Sequence, residues 1–370
     1  MRLGKNIRLL ALAALIGPIC LSPLASAVDL DELIAKVKAV GPEGKGHEDA
    51  IKAIAELSAQ KPESIPKLLA GMNGANRLAV NWLRSAVESA ADKGELPMAA
   101  VKSFLNDKSN SSYARRLAFE LITERQPDQK NAMLANMLDD PSLEIRRDAV
   151  ALELTKVKKA TDKAQKIKGF QSALQHAREI QQIQSIADSL SELDVKVDLV
   201  KHFGMFMDWQ LIGPFPNKEQ SKFDEVYPPE KSVDLKGSYK GDEDKQVKWA
   251  KYESENEEGI VDLNKALSNF KGAIAYAYTE FDNPKEMEVD IRLGCINANK
   301  VWINDKLVIS NNVYHAGMNL DQYIGKAKLK AGKNKILIKV CQNEQKESWA
   351  QRWQFQFRIT DSSGKTIALK

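Results

Sequence analysis

The chain has 370 residues, 43% of them hydrophobic and 28% charged, with 54 basic against 50 acidic side chains and a formal charge of +4. Lys and Glu are interspersed rather than clustered, which excludes the concentrated basic footprint that nucleic acid requires. A chain this long is expected to divide into two domains.

Residues 1–27 have the three parts of a secretory signal peptide. Arg2, Lys5 and Arg8 precede an apolar run from Leu9 to Leu21, and Ala25-Ser26-Ala27 supplies small residues for cleavage. Gly17 and Pro18 interrupt the run, which is shorter than the roughly 20 apolar residues of a membrane span. A lipoprotein reading at Cys20 is disfavoured by Ile19, where a small residue is needed. Cleavage after Ala27 removes three basic residues and no acidic one, so the formal charge falls from +4 to +1. The expectation is an exported protein, periplasmic, extracellular or at the cell surface, with no membrane span after cleavage.

Helical periodicity then runs to about residue 205. Three segments align, ANRLAVNWL from 75, ARRLAFELI from 114 and IRRDAVALE from 145, at offsets of 39 and 31 residues. Shorter helix candidates precede them at Ile65 to Met72, Met98 to Leu105 and Asn131 to Leu138. In LDDPSLEIRRDAV, Pro141 ends one helix, Ser142 is placed to cap the next through its hydroxyl, and Glu144 lies near the positive helix end. Leu143, Val150, Leu154 and Val157 form one apolar stripe and Ile145, Ala149 and Leu152 a second, as a helix inside a stack requires.

This third unit resembles the HEAT repeat most closely. In that family an Arg at the place of Arg115 and Arg146 pairs with an acidic turn residue of an adjacent unit, and the resemblance implies such a ladder here. Asn76 stands at that place in the first unit, a departure from the pattern. Residues 28–160 are therefore expected to be HEAT-like repeats offering a face to a protein partner. Residues 161–205 are a helical cap and connector, with Ala164 to Leu193 read as helical and Ile180, Ile183, Ile186, Ala187 and Leu190 at helix spacing.

Beyond residue 205 the pattern becomes short alternating runs between Gly, Pro, Asn and Asp clusters. DWQLIGPFPN opens the region, with Pro214 expected to end its strand because it has no N–H to donate. Further strands are predicted at 249–252, 273–281, 288–295, 300–309, 323–329, 335–342 and 353–360. Asn304-Asp305 predicts a tight turn within KVWINDKLVI, and Gly332 and Asn334 a turn before Ile336, Ile338 and Val340. Cys295 and Cys341 fall on opposite strand parities, which favours two separate buried thiols over the alternative, a disulfide that export would permit.

The order of W-x-L-I-G-P-F, V-W-I-N and L-K-A-G-K-N-K-I-L-I-K-V over about residues 207 to 369 resembles the galactose-binding-like β-sandwich appended to many secreted glycosidases. The fold class expected is thus multidomain α + β: a HEAT-like solenoid followed, over 206–370, by an antiparallel sandwich or jelly roll. The resemblance implies possible glycan contact through a module that seldom catalyses.

Catalytic signals are sparse. His47, His176, His202 and His315 are isolated, no Cys pair has zinc spacing, and no G-x-S-x-G elbow occurs. Gly41 to Lys45 lacks the Ser or Thr and the leading strand of a phosphate loop, and Glu257-Glu258 reads as solvated charge. Neither enzymatic activity nor a cofactor is expected. Calcium often supports galactose-binding-like folds, but no compact Asp-x-Asp loop marks a site. The residues proposed for ligand contact are Tyr314, His315, Trp349, Arg352 and Trp353, since an indole face can stack on a sugar while Arg, His or Asn bonds hydroxyls. Core packing is the competing role for Trp302, Trp349 and Trp353. The leading expectation is an exported, non-catalytic binding or scaffold protein. The alternatives are a purely structural envelope assembly protein and an accessory subunit of a polysaccharide-degrading enzyme.

Overall fold

A computed structural model describes residues 29–367, so the predicted signal peptide lies outside the described residues. Two compact units divide between Pro97 and Met98. The first holds α1 (Leu30–Lys38), α2 (His47–Ser58), α3 (Ile65–Gly71) and α4 (Arg77–Ala91). Their apolar stripes bury Leu33, Val37, Leu57, Leu68, Leu83 and Val87. Gly71 permits a close approach, because an added Cβ would lie 2.8 Å from Ile34 Cγ2. Asn76, which replaces the expected Arg, caps α4: its Oδ1 accepts from Ala79 N at 3.0 Å and its Nδ2 donates to the Val40 carbonyl at 2.6 Å.

The second unit begins with α5 (Met98–Asn106), α6 (Ser112–Arg125), α7 (Lys130–Leu134), α8 (Leu143–Lys159), α9 (Lys163–His176), α10 (Ile180–Ser191) and α11 (Leu199–Phe203). Two expectations are corrected here and one is refined. The stretch from Ala164 to Leu193 is two helices, broken at Ala177 to Glu179, where the Glu179 carboxylate accepts from Gln181 N and Gln182 N and so starts α10. Ser142 occupies the cap position of α8 but its side chain makes no cap bond; its own N–H instead donates to Asp140 Oδ1 at 2.8 Å. Leu143 is exposed, whereas Val150, Leu154 and Val157 join Phe170, Ile183, Ile186 and Leu190 in a core shared by α8, α9 and α10.

The chain changes from helix to strand between Phe203 and Asp208, at the predicted join. The strands are β1 (Asp208–Pro216), β2 (Ser238–Lys240), β3 (Gln246–Lys248), β4 (Ala250–Glu253), β5 (Val261–Asp262) and β6 (Ala273–Asn283). They continue with β7 (Met287–Cys295), β8 (Ala298–Ile303), β9 (Lys306–Asn311), β10 (Tyr323–Leu329), β11 (Gly332–Gln342) and β12 (Gln354–Thr360). All pairings are antiparallel. One sheet has the order β4-β1-β6-β11-β8-β9, a second β10-β7-β12-β5, and β2 and β3 form a small separate pair. The architecture is α + β in two parts, helices first and antiparallel sheets second.

The main core lies between the two larger sheets. Trp209, Leu211, Ile336, Ile338 and Val340 from one meet Val289, Ile291, Leu293, Phe355 and Phe357 from the other. Alternate residues of β6, Ala273, Ala275 and Ala277, are small on this face, opposite the bulkier Val340 and Ile338 of β11. Trp209 stands edge-on to Phe355 and Phe357, with ring centroids 5.2 and 5.7 Å away.

A second core covers the far side of the six-stranded sheet. Ile274, Tyr276, Tyr278, Leu337 and Cys341 pack under Phe223, Val247 and Trp249 from the segment between β1 and β4. The long polar excursion after β1 is therefore a lid over the sheet, and β6 reads as apolar on both faces because both are buried. Lys339, fully buried on this face, donates to Glu230 Oε1 at 3.0 Å and to the Glu225 carbonyl at 2.7 Å, while Tyr276 donates its hydroxyl to Glu230. The buried charge is thus paired and hydrogen-bonded.

Two turn motifs interlock. Asn304 and Asp305 both take positive φ, 49° and 67°, as a two-residue hairpin turn requires. Asn304 Nδ2 donates to Asn334 Oδ1 at 2.8 Å, and Lys335 N donates to Asn304 Oδ1 at 3.1 Å. Asn334 also closes its own turn, accepting from Lys330 N and donating to the carbonyls of Lys330 and Gly332. Pro214 does not end β1; a register irregularity between Ile212 and Phe215 absorbs it and the strand pairs with β6 again through Pro216.

Candidate ligand-binding site

The ends of β1, β7, β9 and β11 and the starts of β6, β8 and β12 converge at one edge of the sandwich. Backbone bonds tie them together: Asn217 N donates to the Gly272 carbonyl at 2.7 Å and Gly272 N to the Asn343 carbonyl at 2.9 Å. A network of buried amides completes the floor. Asn217 Nδ2 donates to the Gln342 carbonyl at 3.0 Å, Asn297 Nδ2 to Gln342 Oε1 at 2.9 Å, and Asn299 Nδ2 to the Asn297 carbonyl at 2.9 Å. Asn311 Nδ2 reaches Asn299 Oδ1 at 3.1 Å. Asn217, Asn297, Asn299, Gln342 and Asn343 are all buried, so the loops above stand on a polar but satisfied base.

Tyr314 and His315 rise from the loop between β9 and β10. The Tyr314 hydroxyl accepts from Asn217 Nδ2 at 3.0 Å, and burial pushes the phenol up to about 12, so it stays protonated at neutral pH. His315 adopts a left-handed backbone with φ 57°, unusual without glycine. Two contacts hold it there: Nε2 lies 3.0 Å from Asn343 Oδ1, and the ring is met edge-on by Trp349 with centroids 5.0 Å apart at 85°. Asn343 Nδ2 donates to Gln345 Oε1 at 2.7 Å, which leaves Asn343 Oδ1 as the acceptor. In the neutral ring the proton then sits on Nε2, and Nδ1 is a buried acceptor with no donor.

Trp349 is 56% exposed, in the short 3-10 turn Ser348–Ala350 ahead of β12. Arg352 is exposed; its carbonyl accepts from Asn297 Nδ2 at 3.2 Å and Gln342 Nε2 at 3.3 Å, fixing the backbone beneath the site. Trp353 is not a surface residue. Its indole is fully buried in the main core and donates Nε1 to the Val340 carbonyl at 3.2 Å, because position 353 leads directly into β12 with its side chain toward β11. Of the five residues proposed from sequence, His315 and Trp349 are brought into contact, neighbouring Tyr314 is half-buried against the second core, Arg352 is exposed, and Trp353 packs in the main core. Sequence reasoning missed Asn217, Asn297 and Asn343, whose signal is a polar amide directly beside a buried strand end.

Chemically, this edge offers an indole platform, a hydroxyl, an imidazole and a free guanidinium. His315 is oriented by an amide rather than a carboxylate, and no nucleophile lies within hydrogen-bond reach of it among the described residues. Among those residues no group of three or more His, Cys, Asp or Glu could hold a metal ion. Cys295 and Cys341 are free and buried in different cores, one between the sheets and one beneath the covering segment.

The two arginines singled out in the helical segment act differently from each other. Arg115 donates Nη1 and Nη2 to the two carboxylate oxygens of Asp140 at 2.7 and 2.6 Å, and its Nε to the Leu105 carbonyl at 2.8 Å. Among the described residues Arg146 has no ion pair with an acidic residue of an adjacent unit. It donates Nε to the Asp140 carbonyl at 2.8 Å, within its own turn. Asp140 therefore joins both arginines, one through its side chain and one through its backbone.

No family model matches the chain, and no curated protein does. Among solved structures, the chain is similar to a β-glucosidase from Kluyveromyces marxianus in complex with glucose at 15% identity, over 24% of this chain and 11% of that one, with a TM-score of 0.20. A selenomethionine-labelled β-glucosidase from the same organism gives 12% identity over 41% and 16%, TM-score 0.26. An α-xylosidase from Xanthomonas citri gives 12% identity over 33% and 14%, TM-score 0.19. The chain spans a small fraction of each of these proteins, and similarity at this level carries no argument about fold or function.

Proposed function

We propose that this is an exported, non-catalytic binding protein whose sandwich edge at Tyr314, His315 and Trp349 takes a carbohydrate, and whose helical pairs, HEAT-like in pattern, serve protein contact. The observation that carries the carbohydrate reading is Trp349, a large apolar ring left exposed against His315 and above a network of buried amides. An aromatic face beside fixed hydrogen-bonding groups matches the alternating C–H and hydroxyl character of a sugar ring. The galactose-binding-like order of strand motifs supports the same reading, and the signal-peptide pattern supports export.

Retention of the mature chain on insoluble polysaccharides and on a glycan array tests it. Trp349→Ala should weaken binding by about 2 kcal/mol, roughly thirtyfold in Kd, as for a central aromatic contact. His315→Ala should weaken it as well. Absence of retention, or retention unchanged in both variants, removes the carbohydrate reading. Stoichiometric cross-linking to an envelope protein without sugar-dependent retention favours structural assembly instead.

A further inference from the structure

Where α9, α10 and α11 meet the outer face of β12, Arg178, Arg358 and Lys365 surround one space, Arg358 already paired with both carboxylate oxygens of Asp321. A cavity of about 160 Å3 lies there, with Arg178, His202, Phe203, Arg358, Lys365 and Thr366 among its walls. Arg178 sits in the break between α9 and α10. Its Nη1 donates only to the carbonyls of Gln175 and Ala177, at 2.9 and 2.6 Å, and its Nε is buried with no partner. Buried donors in folded proteins nearly always have a partner, and a guanidinium is built to hold an anion through two adjacent N–H groups.

The neighbouring acids are partly committed elsewhere, and the charges of Asp361 and Asp139 still bear on Arg178. Asp321 accepts from Arg358 Nε at 2.7 Å and from Arg292 Nη1 at 2.8 Å. Asp361 accepts from Ser363 N and Lys365 N, and Asp139 pairs with His176 at 2.8 Å. Arg146 is buried nearby with only a carbonyl contact, and its charge bears on Arg178. The Lys365 ammonium has no carboxylate partner among the described residues. Burial, then the charges of Arg178 and Arg358, hold the His202 imidazole below its ordinary value.

We infer that this cavity binds a small oxyanion of the phosphate or sulfate type, held by Arg178 Nε and the Lys365 ammonium. Size selects the class. At about 160 Å3 the space lies well below the ~300 Å3 at which clefts for larger organic ligands begin. A wider cleft of about 700 Å3 shares Gln175, His202 and Lys365 with it and gives a way in. The oxyanion would neutralise cations at the contact between helices and sheet, coupling that contact to anion concentration.

Titration calorimetry of the mature chain at pH 7, with sodium phosphate and sodium sulfate against sodium chloride at matched ionic strength, tests the assignment. Saturable binding of phosphate or sulfate but not chloride is expected, with Kd raised at least tenfold in both Arg178→Gln and Lys365→Ala. Lys365 is exposed, so its variant keeps the fold even if the Arg178 substitution does not. In the NMR spectrum the His202 titration midpoint should move upward when phosphate is added, since an anion favours the imidazolium. Lack of saturable binding, or affinity unchanged by Lys365→Ala, overturns the inference; neither result bears on the sugar edge, which shares none of these residues.

Discussion

Arg115 and Asp140 are each about 1% exposed and are joined by two charge-assisted bonds at 2.7 and 2.6 Å, so removing one partner strands a charge out of water. Arg115→Met leaves the Asp140 carboxylate with Ser142 N as its remaining donor. Breaking a buried pair in this way costs about 3–5 kcal/mol. At about 2–4 °C per kcal/mol for a large domain, the melting temperature should fall by roughly 6–20 °C. Asp140→Asn strands the guanidinium and should cost a similar amount. The double variant removes both charges, keeps an amide to accept from Ser142 N, and loses mainly hydrogen bonds; it should cost about 1–3 kcal/mol. A coupling of about 3 kcal/mol or more then follows from the double-mutant cycle. Thermal and urea unfolding followed by circular dichroism at 222 nm measures all four corners. A cost below about 1 kcal/mol for Arg115→Met, or additive singles, would show that the pair does not hold α6 to the turn before α8.

Four further outcomes are expected. Trp353→Ala should cost about 3–5 kcal/mol in urea unfolding while Trp349→Ala costs less than about 0.5, because one indole is fully buried and the other exposed; equal costs would overturn their assignment to core and surface. Asn304→Ala should cost about 2 kcal/mol and Asn304→Gly about 1, the difference being the left-handed backbone that glycine tolerates and alanine does not; calorimetric melting of the two variants distinguishes them. His202 has its proton affinity lowered in the folded chain, so the unfolded chain binds the extra proton first: stability present above about pH 6.5 should be lost as pH falls below it, and His202→Asn should flatten that part of the profile. Cys295 and Cys341, both pushed up to about 12 by burial, should resist thiol reagents in the folded protein and each react once after unfolding without reductant.

Legibility in the sequence followed the range of the interaction that decides each feature. The Asn304-Asp305 hairpin is set by residues a few positions apart and was readable, whereas the turn expected at Gly332 and Asn334 lies just before them, since both residues belong to β11 and pair with β6. Also readable was the join near residue 205, where the period of the apolar residues changes. The covering segment was not: Phe223, Tyr227, Val233, Tyr239, Val247 and Trp249 are widely spaced and follow neither helix nor strand period, so only the three-dimensional sheet gives them a common surface. Lys339 illustrates the same limit, since alternation placed it correctly away from the main core but could not reveal a lid and a Glu230 waiting above it. The break at Ala177 to Glu179 contains neither Gly nor Pro, and its only local mark is a Glu that caps α10. Tyr314, His315 and Trp349 could be proposed as residue types, yet the amide floor beside them is assembled from four separate stretches of chain, at 217, 297–299, 311 and 342–343.

The distribution of burial also explains why the sandwich edge, rather than a sheet face, carries the candidate site. One outer face lies beneath the covering segment, with Lys339 and Tyr276 sealed under it. On the other, β12 is engaged by α11, where Phe203 packs beneath the Arg358 guanidinium at 5.0 Å and Phe206 N donates to the Phe357 carbonyl at 3.0 Å. The edge differs because its backbone groups are already satisfied by Asn217, Asn297 and Asn343, so the side chains above need not fold inward to pair with them. A tryptophan can then remain exposed there without leaving buried polar groups unmet, and the rigid floor limits the ordering that binding would otherwise have to impose on those loops.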